Sequence, residues 1–148
     1  MKRIFLSILA LLTISFANGQ DQDVTYKVTN YEVNGVNYDV LALNSDVALS
    51  FYMCDNGAIC FANHWRNTDS QSYGGVYALK KRNIPETSTT YEAEEFKFTW
   101  KFFNTYDNVK GEAAVTFTIV FIANTVKFRA EILVLKTNEV LILEGYME

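Results

Sequence analysis

The stretch that decides the fold is Val115-Thr116-Phe117-Thr118-Ile119-Val120-Phe121-Ile122-Ala123-Asn124-Thr125-Val126-Lys127-Phe128-Arg129-Ala130-Glu131-Ile132-Leu133-Val134. Before Ala123 the odd positions Val115, Phe117, Ile119 and Phe121 are large and apolar. After it the phase switches to Val126, Phe128, Ala130, Ile132 and Val134, with Lys127, Arg129 and Glu131 between them. A period of two belongs to a strand with one buried face. A two-residue turn at Ala123-Asn124 accounts for the switch. It sets Phe121 opposite Val126, Ile119 opposite Phe128 and Phe117 opposite Ala130, while Thr118 meets Arg129 on the other face. A slip of one residue would turn one strand's apolar set to the wrong side.

The pattern extends both ways. In Phe96-Lys97-Phe98-Thr99-Trp100-Lys101-Phe102 the even positions are aromatic and the odd ones polar. A further two-residue turn at Thr137-Asn138 would place Val134 opposite Leu141 and Ile132 opposite Leu143, giving a meander of four antiparallel strands over residues 95–146. In the N-terminal half Asn34-Gly35 is a strong hairpin signal, pairing Val33 with Val36 and Tyr31 with Tyr38. Farther from that turn the apolar face switches, with Val28 opposite Leu41 and Tyr26 opposite Leu43, which reads as a bend or bulge. Residues 48–53, 58–65 and 73–79 supply three more strands. Only residues 89–95 hint at a helical turn, with Thr89 and Glu92 spaced as a capping box. The expected class is all-β: an antiparallel meander of about 8–9 strands closing into a small barrel, with a two-layer sandwich as the alternative.

The chain has 148 residues, 49% hydrophobic, 15% aromatic and 20% charged, which excludes disorder, collagen-like repeats and a disulfide-dense miniprotein. Met1-Lys2-Arg3, an apolar run over residues 4–16 and small residues at Ala17 and Gly19 have the order of a secretory signal peptide. The run is too short to span a bilayer, where a helix needs about 20 residues. The expectation is a signal peptide at residues 1–19 and one all-β domain at 20–148. The processed chain is then exported, periplasmic or extracellular and bacterial, with no membrane span. Its 11 basic residues face 17 acidic ones, a net charge of −6 once Lys2 and Arg3 are gone, which argues against a nucleic-acid partner. Lys80-Lys81-Arg82 is the only basic run and reads as a solvated loop. Export permits disulfides, and Cys54 and Cys60 bracket a turn-rich stretch, so a bridge is expected across that hairpin tip.

Export, strand number and hairpin spacing together resemble the lipocalin-like (calycin-type) proteins. That resemblance implies an up-and-down barrel holding an apolar ligand inside, without catalysis and without a cofactor. The ligand residues it implies come from the one-sided aromatic strands and the strand ends: Trp65, Tyr77, Phe98, Trp100, Phe117 and Phe128.

A second reading starts from the last hairpin. Its outward face sets Leu133 opposite Ile142 and Leu135 opposite Val140, with Val120 and Ile122 alongside. A second layer would cover this patch in a sandwich; otherwise a second copy or another partner does. Tyr and Trp near strand ends, with Gly74-Gly75 as a flexible rim, also suit a protein or glycan contact. Catalytic signals are sparse. His64 is the only histidine, so no multi-His metal site can form and no metal is expected. Glu131 opposite Glu144 is the one facing carboxylate pair, beside Arg129. Glu92, Glu94 and Glu95 read as a solvated acidic cluster. An enzyme is not expected; if there were one, its site would lie near His64.

Overall fold

The structure, a computed structural model, describes residues 23–148. The expected signal peptide lies outside the described residues. Alternation carries directly into strands: β1 (Val24–Val33), β2 (Val36–Asn37), β3 (Val47–Met53), β4 (Ile59–Trp65), β5 (Ser70–Ile84), β6 (Ala93–Asn104), β7 (Val109–Ile122), β8 (Thr125–Val134) and β9 (Val140–Met147), with one short helix, α1 (Asp39–Asn44). Neighbours in the chain are neighbours in the sheet from β3 to β9, and all pairings are antiparallel. β1 pairs on one side with β3 and on the other with β9, which closes eight strands into a barrel; β2 is a short spur on β1. The sandwich alternative is thereby replaced. No second sheet layer exists among the described residues.

The strands are strongly staggered. From Lys27, pairing runs one way through Ala48 and His64 to Gln71 on β5. The other way it runs through Tyr146, Lys127, Val120 and Ala93 to Ile84, thirteen residues along the same strand (84 − 71). Closure requires such a stagger, which sets the tilt of the strands and the width of the barrel.

The β7–β8 hairpin has the expected register at every pair named above, with Ala123 in a left-handed conformation at the turn. The last hairpin differs by two residues: Ile132 pairs with Leu141, Ala130 with Leu143 and Leu133 with Val140. Val134 and Glu139 close the turn through Val134 N–H to the Glu139 carbonyl, 2.9 Å, so the loop is longer than two residues. An even shift leaves each side chain on its expected face while changing its partner.

The Asn34-Gly35 hairpin forms but is short, ending at Glu32↔Asn37. Asp39 stops it. Its carboxylate accepts from Tyr31 N–H (2.7 Å) and from the Asn30 and Asn37 amides (3.1 Å each), and Asn37 Oδ1 accepts from Asp39 N–H. These bonds turn the chain into α1, so Leu41 and Leu43 never oppose Val28 and Tyr26. The expected bulge is real, but it lies between Val28 and Asn30 against β9. The helical hint at residues 89–95 is also overturned. Thr87 Oγ1 accepts from Thr89 and Thr90 N–H, making a turn ahead of β6, and Glu92 lends its carbonyl to Phe121 N–H.

Phe117 is the hub of the interior. Its ring stacks on Phe128 at 5.3 Å and meets Tyr26, Phe51 and Phe61 edge-on at 5.0, 5.1 and 6.1 Å. The expected Cys54–Cys60 disulfide is formed. Phe117→Ala is expected to destabilise the protein by about 3–5 kcal/mol, read as a lower urea midpoint at unchanged slope; a loss under about 1 kcal/mol would contradict this packing. Replacing both cysteines with serine opens only a short loop and should remove about 2 kcal/mol while the barrel stays folded. Unfolding of that double variant at room temperature would show the bridge holding far more than its hairpin.

Candidate functional site

Four of the six residues expected to meet a ligand, Phe98, Trp100, Phe117 and Phe128, are buried together inside the barrel. Trp100 is oriented by its indole N–H, which donates to the Phe61 carbonyl at 2.9 Å, and its ring lies 5.0 Å from that of Phe61. Trp65 is half-buried at one end, edge-on to Tyr31 at 5.6 Å. Tyr77 is elsewhere. It pairs with Thr99 on the outer face, half-exposed, with Lys101 Nζ 4.7 Å from its ring centre.

The interior also holds polar groups that the sequence reading did not single out as a site. Glu94 pairs with Ile119, Ile119 with Phe128, and the Phe128 ring lies 5.2 Å from Tyr26. Glu94 and Tyr26 thus sit towards one end of the same ring-lined interior, exposed by only 7% and 0%. Glu94 Oε1 is 3.7 Å from Lys81 Nζ, a loose ion pair. Glu94 Oε2 and the Tyr26 hydroxyl are buried with no hydrogen-bond partner. Nearer the other end Asn63 donates to the Tyr31 hydroxyl at 3.3 Å, while its Oδ1 is also unpartnered. The signal for Glu94 was its parity: it lies in phase with Phe96, Phe98 and Trp100, whereas Glu95 is out of phase and reaches Arg82 and Lys97 on the outside.

Burial raises the Glu94 carboxyl above its ordinary range; Lys81 opposes this and Glu92 adds to it. Burial, then the charge of Glu94, raises the Tyr26 phenol. A phenol can both donate and accept a hydrogen bond, and a carboxyl group accepts one in either protonation state. Together with apolar walls they would suit a small molecule with an apolar body and one polar head.

The other candidates are dispersed. His64 Nε2 lies 3.2 Å from Asp69 on the exposed side of the barrel end. Glu131 and Glu144 do not face each other: Glu144 pairs with Arg129 and Glu131 with Ile142, and both carboxylates lie by Arg129 at 3.5 and 3.3 Å. No group of three or more His, Cys, Asp or Glu arranged to hold a metal occurs among the described residues. On the last hairpin Leu133 meets Val140, and these two and Leu135 are exposed, with Ile142 half-buried.

These features define a closed eight-stranded antiparallel barrel with a calycin-like layout and a polar end inside an aromatic interior. The chain matches no known family, no curated protein and no solved structure.

A buried polar group without a partner costs about 1–3 kcal/mol, so Tyr26→Phe is expected to stabilise the ligand-free protein by about 1 kcal/mol. Glu94 adds a pH dependence. Its folded pKa is raised, so its contribution to stability is greatest below the unfolded carboxylate range and is lost as pH rises through the folded value. Glu94→Gln should therefore gain on the wild type in urea titrations as pH rises above the unfolded carboxylate range. A Glu94→Gln protein less stable than wild type at neutral pH would mean that the carboxylate has a partner it depends on.

Proposed function

We propose that this protein is an exported, non-catalytic binding barrel of lipocalin-like kind. Its ligand is a small, mainly apolar molecule whose polar head meets Glu94 and Tyr26. The observation that carries this reading is the pair of unpartnered polar atoms buried among Phe96, Phe117, Ile119 and Phe128. A chain selected only for stability would replace them with Phe and an apolar residue; a ligand that supplies their hydrogen bonds accounts for their presence. The ring packing limits such a ligand to modest size. It would reach the site at the Lys81 side, where the barrel wall carries a long charged side chain instead of a packed one. The apolar run at residues 4–16 and the disulfide support export.

A second reading has one observation of its own. Leu133, Leu135 and Val140 are 38%, 47% and 38% exposed on one face of the last hairpin, a surface suited to a second copy or a protein partner.

Native mass spectrometry of the processed protein from its own source tests both. The expected spectrum is a monomer carrying a small-molecule mass increment, and that increment should disappear in Tyr26→Phe and Glu94→Gln proteins. A bare chain, with no thermal shift across a panel of small apolar alcohols, amines and carboxylic acids, would remove the ligand reading. A dimer abolished by Leu135→Lys would favour the second.

A further inference from the structure

The outer face of the β5–β6 ribbon is distinct from the interior and uses none of its groups except the stem of Lys81. Its outward pairs, in order, are Tyr73 with Phe103, Gly75 with Lys101, Tyr77 with Thr99, Lys80 with Lys97 and Arg82 with Glu95. Two features there are unusual. Lys80 stands directly opposite Lys97, a like-charge cross-strand pair that weakens the sheet locally. Around that pair lies a hollow of about 230 Å³ lined by Lys80, Lys81, Arg82, Glu95 and Lys97. Glu95 is shared between Arg82 (3.3 Å) and Lys97 (3.9 Å), and Lys81 leans towards Glu94, so Lys80 has no acidic partner among the described residues. This surplus of positive charge stands on a chain whose formal net charge is −4.

The second feature is Tyr77. Its ring lies across Gly75, where an added Cβ would come within 2.9 Å of Cε2 and 3.0 Å of the hydroxyl, so a larger residue there would push the ring aside. The ring remains 50% exposed, with Lys101 Nζ at 4.7 Å. Tyr73 and Phe103, edge-on at 6.1 Å, continue the strip. Aromatic and cationic positions therefore alternate along about 30 Å of ribbon, at the rise of an extended strand.

We propose that this strip binds an acidic polysaccharide, with uronate or sulfate groups seated at Lys80, Lys97 and Arg82 and the apolar face of a sugar ring against Tyr77. A polymer fits better than an isolated anion because the aromatic positions lie in line with the hollow along the ribbon. A glycan fits better than a nucleic acid because the cations are confined to one hollow of a net-acidic chain, whereas a nucleic-acid footprint is an extended basic patch or stripe on a basic domain. The disulfide, too, belongs to compartments where glycans are the abundant polymers.

Isothermal titration at low and high salt, with polygalacturonate, a sulfated glycan, neutral dextran and single-stranded DNA as probes, tests this. Three proteins are compared: wild type, Lys80→Glu and Tyr77→Ala. Lys80→Glu sets an acid opposite Lys97 and so should fold at least as well as wild type, which separates charge from stability. Expected are binding to one or both acidic glycans and a tenfold or greater loss in Lys80→Glu. Tyr77→Ala should lose several-fold with an unchanged salt slope. Equal binding of dextran, binding of DNA alone, no binding to either glycan, or a Lys80→Glu protein that binds as wild type would each overturn the proposal. None of these outcomes bears on the interior ligand, whose test uses Tyr26 and Glu94.

Discussion

The pairing of β1 with β9 is the constraint on which the rest depends. Without it the sheet would have two long free edges and the aromatic faces of β6, β7 and β8 would lie open to water. β1 has to serve two neighbours that arrive with different stagger. It pairs with β3 through residues 24–27 and with β9 from Tyr26 to Val33, taking up the difference in the bulge between Val28 and Asn30. The seam is tight at Gly145, where a Cβ would fall 1.8 Å from the Lys27 carbonyl oxygen. Charge then fastens it. Asp46, ahead of β3, is gripped by Lys27 and Arg66, and Arg66 also holds Glu148 beyond β9 at 2.6 and 3.0 Å. Hydrogen bonds from these cations, Lys27 first for Asp46 and Arg66 for Glu148, keep both carboxyls below their ordinary range.

How much of this was legible in the sequence depends on what alternation can and cannot encode. The β7–β8 register was readable because both strands alternate cleanly and the phase switches across two residues. The last hairpin was off by two because alternation is blind to even shifts; only the turn distinguishes them, and its length depends on the Val134–Glu139 bond. The change of face beyond Asn34-Gly35 was visible, but its cause was a single carboxylate, Asp39, collecting donors from Asn30, Tyr31 and Asn37. The Thr89–Glu92 spacing matched a capping box, yet Thr87 captured the free amides first. Glu94 was read with its neighbours as a solvated cluster, although its parity with Phe96 already placed it inside.

An aromatic interior with polar atoms left over is a compromise that pure folding would not reach. Rings at centroid spacings near 5 Å fill a small barrel well, and the Phe117–Phe128–Tyr26 cluster does so without polar help. Tyr26 contributes the same ring surface as phenylalanine would, so its hydroxyl adds nothing to packing and loses hydration. Glu94 likewise occupies a position in phase with Phe96, Phe98, Trp100 and Phe102 on its strand. On the binding reading proposed above, these polar atoms are the groups a ligand's polar head would meet.

The bulge in β5 connects these two faces of the molecule. Ala78, in a left-handed conformation, marks a one-residue register shift between Tyr77 and Lys80. With uninterrupted alternation after Tyr77, Lys80 and Arg82 would point into the barrel and Lys81 outward. The extra residue reverses all three. It sends Lys80 and Arg82 to the outer strip opposite Lys97 and Glu95, lets Leu79 pack against the core, and turns Lys81 towards Glu94. Charges that would be prohibitive inside become an exposed cationic surface, and the one cation turned inward is the one with a carboxylate to meet. Alternation fails after residue 79 for this reason, although the strand itself continues to Ile84. A local break in pattern inside a long strand is thus informative about function as well as fold, because it is where the chain reassigns side chains between two surfaces.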